Sequence, residues 1–133
     1  MIVQDNFNPY PKDLLPTKFI YPVKYLEISE NPKLVNHNKD YHFRWWFEGA
    51  VNEGSKLSYR LRNDKIEGLN LVPFAQNGDW LANFDGDDTS GNPRVVVVDL
   101  GDLPFHMICE DFADWLREFP KNCVTAYNPL TGE

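Results

Sequence analysis

One stretch of the chain, from Leu71 to Asp102, constrains the fold more than any other. It reads LVPFAQNGDWLANFDGDDTSGNPRVVVVDLGD and contains the longest unbroken β-branched run of the protein, Val95 to Val98. It also contains Asn77-Gly78, the strongest short signal for a β-hairpin. We therefore predict three short antiparallel strands joined by two turns. Pro73 cannot donate a ladder hydrogen bond, so we expect it at a sheet edge or a strand end.

The strand in the middle of this stretch, WLANFD, has residues for two faces of a sheet. Alternate side chains of a strand point to opposite faces. The residues predicted to face the core are Trp80, Ala82 and Phe84. The valine run has no polar alternation, which predicts a central strand that is covered on both faces.

A charged pair predicts the register between these strands. If Asp85 lies opposite Arg94 across the loop, Phe84 meets Val95 and Trp80 meets Asp99. A surface pair of this kind contributes about 1 kcal/mol or less, so it would fix the register more than it would add stability.

One helix is well marked after these strands. The run FHMI predicts a short strand, and CEDFADWLREFP then predicts a helix with Glu110 and Asp111 in its first turn, where negative charge is favoured. Its apolar stripe repeats at helical spacing and should lie against the valine strand. The stripe consists of Phe112, Trp115, Leu116 and Phe119.

The whole chain of 133 residues has the length of one domain. We divide it into a proline-rich N-terminal segment (1–40), a sheet with a C-terminal helix (41–119) and a tail (120–133). The predicted fold class is α+β, with a single antiparallel sheet flanked by a few helices.

Two short segments fit more than one secondary structure. PVKYLEIS from Pro22 fits a helix with Val23, Leu26 and Tyr25 facing the core and a stop at Asn31, or equally an edge strand. Residues 124–127 fit either a last strand or an irregular tail.

A second hairpin is predicted upstream. YHFRWWF (41–47) and KLSYRLR (56–62) favour strands, with turn residues between them. Trp45 and Trp46 would then point to opposite faces, one into the core and the other exposed or beneath the N-terminal segment. We take Trp46 as a candidate contact with a partner.

Charge is concentrated in one part of the chain. The net charge is −7, and residues 76–118 hold two Lys/Arg against ten Asp/Glu. Such a field repels nucleic acid and anionic membranes and favours a basic partner, although it can also simply maintain solubility. Because no apolar run is long enough to span a bilayer and no signal peptide is evident, we expect a cytoplasmic protein.

Few residues suggest catalysis or a cofactor. Cys109 and Cys123 have no metal-ligand spacing, so we predict free thiols rather than a disulfide or zinc site. We expect no cofactor, because the three histidines share no motif and phosphate-binding glycine loops are absent.

Two acidic-site hypotheses are weak. Asp85, Asp87 and Thr89 have the alternate spacing of a calcium loop, but Ser90 and Val96 occupy the positions that require Gly and Glu. A hydrolase using Asp85, Asp87 and Asp99 would need a pocket that separates their pKa values.

The order of these motifs resembles the core of the SUKH superfamily. The resemblance covers residues 69–119. It depends on Leu71-Val72-Pro73-Phe74-Ala75, Asn77-Gly78-Asp79, Phe84-Asp85, Val95-Val96-Val97-Val98-Asp99 and the helix stripe. The N-terminal half departs from the family pattern.

This resemblance implies an α+β fold without enzymatic activity. Most members are bacterial immunity proteins that bind toxins, often nucleases, and one relative acts in yeast cell-wall regulation. We therefore expect a protein partner, a cognate basic toxin, held by an acidic surface. The candidate contacts are Asp79, Asp87, Asp88 and Asp102, together with Trp46. The alternative is a regulatory or scaffold module that binds a peptide or cell-wall-related partner at a sheet edge.

Overall fold

The computed structural model describes residues 7–31, 34–35, 45–47, 68–103, 105–118 and 123–125. Within them the chain forms an antiparallel sheet of six strands in sequence order and two helices, which confirms the α+β class. The strands are β1 Trp46–Phe47, β2 Leu71–Asn77, β3 Trp80–Asp85, β4 Val95–Asp99, β5 His106–Cys109 and β6 Val124–Thr125. The helices are α1 Val23–Glu30 and α2 Phe112–Glu118.

The register predicted for β3 and β4 is confirmed. Trp80 lies opposite Asp99 and Phe84 opposite Val95, and the Asp85 N–H donates to the Arg94 carbonyl oxygen at 2.9 Å. Along β3, successive side chains alternate between the two faces of the sheet.

The β2–β3 hairpin is also confirmed, but its turn lies one residue later than Asn77-Gly78. Asn77 pairs with Trp80 and ends β2, so the turn residues are Gly78 and Asp79. Gly78 has φ of +59°, whereas Asp79 does not adopt positive φ. A two-residue hairpin turn with Gly in its first position meets this backbone requirement.

Pro73 lies inside β2 rather than at its end. It is opposite Asn83, and the register between β2 and β3 shifts between Pro73 and Ala75. An extra residue in one strand of an antiparallel pair forms a β-bulge, where a proline is tolerated.

The two faces of the sheet are both buried at its centre. Val95 to Val98 are at most 1% exposed, which confirms a central strand covered on both faces. On one face, which we name the helix-covered face, the strands share a core with α1 and α2. The other face, which we name the second face, buries Leu71, Val96 and Val98 against Leu69, Leu100 and Ile108.

The segment after Pro22 is a helix, and its inward residues differ from the prediction. Tyr25 is buried as expected, together with Ile28, whereas Val23 is 71% exposed and Leu26 is 40% exposed. Tyr25 and Ile28 are three residues apart on one face of the helix, so the face that packs is rotated from the predicted one. The helix ends before Asn31, as predicted.

Aromatic side chains fill the helix-covered face. Phe74 and Phe84 stack with ring centroids 4.1 Å apart, and Tyr25 meets both rings edge-on. Phe112 and Trp115 of α2 also meet the Phe74 ring edge-on, with centroids 5.6 and 4.9 Å away. The helix therefore packs on the helix-covered face through its apolar stripe, with Leu116 half-buried at the margin. Its ring contacts are with Phe74 of β2 and Phe84 of β3 rather than with the valine strand, whose Val95 and Val97 belong to the same core.

The start of α2 has a side-chain cap. The Asp111 Oδ1 accepts from the Asp114 N–H at 2.9 Å, and the Asp111 carbonyl accepts from Trp115 N–H at 3.1 Å. This is the geometry of an N-cap, so Asp111 precedes the first helical turn instead of lying within it.

The prediction of free thiols is wrong. Cys109 and Cys123 form a disulfide, with Cα atoms 4.2 Å apart, and both residues are buried. Antiparallel pairing of β5 with β6 places them directly opposite each other, an arrangement that their separation along the chain did not reveal. Of the two alternatives for residues 124–127, the described part is a strand, β6 at Val124–Thr125, and Cys123 immediately precedes it.

Several predictions lie outside the described residues. They include the strand at 56–62, its turn at 48–55, residues 126–127 of the possible last strand, and Phe119 of the helix stripe.

Gly86 is required by close backbone packing. Its N–H donates to the Asn70 carbonyl oxygen at 2.7 Å. A Cβ atom there would lie 2.6 Å from that oxygen and 2.7 Å from Pro16 Cγ. The N-terminal segment thus packs against the end of β3.

We predict that Gly86→Ala lowers the free energy of unfolding by about 1–3 kcal/mol, because backbone and a proline ring must move to admit the methyl group. The matched control is Gly101→Ala, whose Cβ would meet only the carboxylates of exposed Asp79 and half-buried Asp99, at 3.3 Å or more. Urea unfolding of both variants tests this, and equal losses would contradict it.

Candidate functional site

Antiparallel pairing places the acidic residues at two opposite ends of the sheet. We name one the turn end, which comprises the Gly78-Asp79 turn and the described residues of the β4–β5 turn, 100–103 and 105. We name the other the loop end, which comprises the β3–β4 loop (86–94) and the β5–α2 junction at Glu110 and Asp111. β3 separates the ends by about 20 Å, since six residues rise about 3.3 Å each.

Three aspartates meet at the turn end. The Leu100 N–H donates to the Asp79 carbonyl oxygen at 2.8 Å, which ties the two turns together. The position of a Cβ on Gly101 would be 3.3 Å from Asp79 Oδ2 and 3.4 Å from Asp99 Oδ1, so both carboxylates lie beside this residue. Asp102 follows in the same turn and is exposed.

Apolar side chains accompany these carboxylates. Leu103 is 44% exposed, and Trp80 and Phe105, both half-buried, contact each other edge-on. The turn end therefore combines negative charge with accessible apolar surface.

Trp46 is the exposed member of the tryptophan pair. It lies in β1 opposite Gln76, one residue before the end of β2, and is 51% exposed. Trp45 packs edge-on against Trp115 at 5.2 Å. The expectation that one tryptophan joins the core and the other is accessible is confirmed, and Trp46 lies near the turn end.

The loop end is organised by its own carboxylates. The Asn92 side-chain amide donates to Asp111 Oδ2 at 3.2 Å and joins the β3–β4 loop to the start of α2. Asp88 Oδ1 accepts from the Ser90 N–H and its Oδ2 from the Arg94 N–H, each at 3.1 Å. Asp88 therefore has a structural role in the loop, whereas Asp87 is exposed.

The surroundings of Asp88 also shift its pKa. Partial burial favours the neutral acid, but hydrogen bonds from Ser90 and Arg94 and the positive charge of Arg94 outweigh it. The pKa of Asp88 is therefore below its usual value.

The predicted pair of Asp85 and Arg94 is present and is more buried than a surface pair. Arg94 Nη2 lies 2.5 Å from Asp85 Oδ2, and the other carboxylate oxygen accepts from the Asp87 N–H at 3.0 Å. The Asp85 side chain is 8% exposed and that of Arg94 is 50% exposed. This hydrogen bond raises the pKa of Arg94 further above its usual value, against the opposing effect of burial.

The five candidate partner-binding residues do not form one surface. Asp79, Asp102 and Trp46 are near the turn end, and Asp87 and Asp88 are at the loop end. Sequence proximity suggested a single cluster, because residues 79 and 87 are separated by only one strand. A strand, however, is extended and places its two ends far apart.

The same topology bears on the acidic-site hypotheses. Asp99 lies opposite Trp80 while Asp85 is at the other end of β3, so these carboxylates do not meet. Asp85 is already engaged by Arg94. Among the described residues, no group of three or more His, Cys, Asp or Glu side chains could hold a metal ion.

Asn83 is a buried polar residue that sequence reasoning did not single out. It lies in β3 on the second face, fully buried, and its amide donates to the carbonyl oxygens of Leu81 and Val96 at 3.1 and 3.0 Å. Its Oδ1 accepts no hydrogen bond. The sequence did contain a signal for this burial. Asn83 belongs to the strand predicted to pair with the valine strand, so its side chain must be buried together with the valines.

Fold and surface together define an α+β protein with acidic loops at both ends of an antiparallel sheet. Comparisons with models of protein families, with curated proteins and with solved structures gave no match. Within the described part of the chain, neither helix has the length and apolar character that crossing a membrane requires.

We predict strong coupling between Asp85 and Arg94. Arg94→Met leaves a buried carboxylate without its cation, so we expect a loss of about 1.5–3 kcal/mol in unfolding free energy. With Asp85→Asn added, the double variant should lose about 1–2 kcal/mol less than the sum of the single losses.

The Asp114–Arg117 pair is the control for this cycle. It is a 3.2 Å contact on α2 in which Arg117 is largely exposed, and such pairs couple by about 0.3–0.5 kcal/mol. Chemical unfolding of both sets of variants measures the two coupling energies. Equal coupling energies would show that the burial of Asp85 does not strengthen its interaction with Arg94.

We predict that Asp88 contributes to acid sensitivity. Because its pKa is lower in the folded chain, its stabilisation is complete above the unfolded value of about 3.9 and is lost as the pH falls through the folded value. Asp88→Asn should therefore reduce the loss of unfolding free energy between about pH 6 and pH 3. Asp79→Asn serves as the exposed control, and an unchanged pH profile for Asp88→Asn would contradict this assignment.

Proposed function

We propose that this chain is a non-catalytic binding protein of the immunity type, which neutralises a basic, nuclease-type toxin in the cytoplasm. The observation that carries the proposal is the turn end, where the carboxylates of Asp79 and Asp99 lie beside Gly101 and Asp102 follows in the same turn. Leu103 and, in β1, Trp46 are exposed at the same end of the sheet. The order of motifs shared with the SUKH superfamily supports the same class of function.

The turn end has the features of a surface that contacts a basic protein. A bulky aromatic side chain supplies contact area at an interface, and surrounding charges of one sign select an oppositely charged partner and speed its association. Of the two arginines in residues 76–118, Arg94 pairs with Asp85 at the loop end and Arg117 pairs with Asp114, so neither offsets the turn-end carboxylates.

The loop end fits this role less well. Asp88 binds the backbone of its own loop, Asp111 caps α2, and Asp85 binds Arg94. These carboxylates hold the local structure, so recruiting them to a partner would weaken hydrogen bonds that the fold uses. We therefore assign the partner contact to Asp79, Asp102 and Trp46.

A second candidate function is a regulatory or scaffold module. The exposure of Trp46 on the short strand β1 favours it, because an extended peptide could place an apolar side chain against this tryptophan. Such binding would depend on Trp46 and little on the turn-end charges.

The test begins with the product of the reading frame adjacent to this gene as the candidate partner. Its toxic activity and its affinity for this chain are measured at low and high salt. We expect neutralisation and tight binding that weakens with salt. Failure of the adjacent product to bind or to be neutralised would contradict the proposal.

Two charge-matched variants then locate the contact. Asp79→Asn with Asp102→Asn should weaken binding about tenfold or more and reduce its salt dependence. Asp87→Asn with Glu110→Gln, two exposed positions at the loop end, should change affinity about twofold or less. The reverse order would contradict the turn-end assignment. Loss of binding only with Trp46→Ala would favour the second function.

A further inference from the structure

The disulfide fastens the outermost strand of the described sheet. Cys109 ends β5 and Cys123 immediately precedes β6. The covalent bond therefore lies beside the pair formed by Ile108 and Val124. Cys109 is fully buried and Cys123 is 6% exposed, and both belong to the core of the helix-covered face. The bond thus joins the sheet edge to the core.

Within the described residues, the other contacts that attach β6 to the sheet are few. It is a strand of two residues, in which Thr125 pairs with Met107 and Val124 with Ile108. The Val124 side chain is 66% exposed and contributes little buried apolar area. Strands of this length depend on other constraints to remain in a sheet.

The helix between the two cysteines is attached independently. α2 lies within the loop that the disulfide closes, but its Phe112 and Trp115 are buried against Phe74. Its N-terminus is capped by Asp111 and joined to the β3–β4 loop through Asn92. Among the described residues, the disulfide is therefore the main constraint on β6, and α2 keeps its own contacts when the bond opens.

We propose that the Cys109–Cys123 disulfide is a redox-sensitive latch on β6. Oxidised, it holds β6 on the sheet. Reduced, it releases β6, and β5 becomes the end strand of the described sheet, with unpaired backbone groups along Met107 and Ile108. The change is local, because β2, β3 and β4 are longer and are buried on both faces.

A dithiol reductant opens the bond in two exchange steps. One thiolate attacks a disulfide sulfur and forms a mixed disulfide, and the second thiol displaces it. The reductant becomes a cyclic disulfide, and the two electrons and two protons it gives up yield the thiols of Cys109 and Cys123. Because both cysteines are buried, attack follows fraying of β6.

With this latch, the redox state of the compartment determines whether β6 or β5 is the end strand of the described sheet. Disulfides persist in oxidising environments and are rare in the reducing cytosol. In the cytoplasm, where we expect this chain to act, the reduced form with an open β5 edge is the relevant one. In an oxidising compartment the sheet would keep β6.

The first measurement asks whether the bond forms. The purified chain is equilibrated with oxidised glutathione, unfolded without reductant and alkylated, and its mass is measured. We expect no alkylated cysteine, and two after dithiothreitol treatment. Two alkylated thiols without dithiothreitol would overturn the proposal.

The second measurement follows backbone hydrogen exchange of the oxidised and reduced wild-type chain by mass spectrometry. Peptides covering residues 106–109 and 123–125 should exchange about tenfold or more faster after reduction, while those covering 80–85 and 95–99 stay protected. Equal exchange in both forms would overturn the latch, as would a uniform increase across the sheet.

A serine variant separates the covalent bond from effects of the reagent. Cys123→Ser should show the fast exchange of the reduced chain with or without dithiothreitol. Slow exchange at 106–109 in this variant would mean that pairing alone holds β6 and would overturn the proposal. The toxin-binding test is independent of these measurements, so either proposal can fail without the other.

Discussion

The stacked pair of Phe74 and Phe84 is the contact on which the rest of the fold depends. It joins β2 to β3 at the centre of the helix-covered face, with ring centroids 4.1 Å apart. Tyr25 brings α1 to this pair and Trp115 brings α2, so both helices and the sheet share one aromatic cluster. Aromatic rings bury large areas and fix the orientation of their neighbours, which lets a small domain hold two helices on a sheet.

The two buried polar side chains of β3, Asp85 at its end and Asn83 in its middle, differ in how completely their hydrogen-bonding groups are satisfied. At the loop end, Asp85 is buried but accepts hydrogen bonds from Arg94 and from the Asp87 N–H, so its charge is matched. In the middle, Asn83 satisfies its amide hydrogens on neighbouring carbonyls while its Oδ1 does not accept a bond. A buried acceptor without a partner costs free energy, so the apolar packing around β3 and β4 must offset it.

The antiparallel topology also determines what the acidic residues can do together. Turns that follow alternate strands lie at the same end of the sheet, so Asp79 and Asp102 are neighbours although they are far apart in sequence. Asp87 is closer to Asp79 along the chain but lies at the other end. Charge density counted along the sequence therefore combines two surfaces, and the turn end alone joins exposed carboxylates with exposed Leu103 near Trp46.

Local signals in the sequence determined the three central strands, the Asp85–Arg94 register, α2 and the burial of the valine run, because each depends on side-chain periodicity or on a nearby turn. Tertiary structure alone decided which face of α1 is buried, since Val23 and Tyr25 are both apolar and only the aromatic cluster selects Tyr25. It also decided the disulfide, because the pairing of β5 with β6 brings Cys109 and Cys123 together. The division of the aspartates between two ends has the same origin: contacts between distant parts of a chain depend on strand order and direction, which a local pattern does not specify.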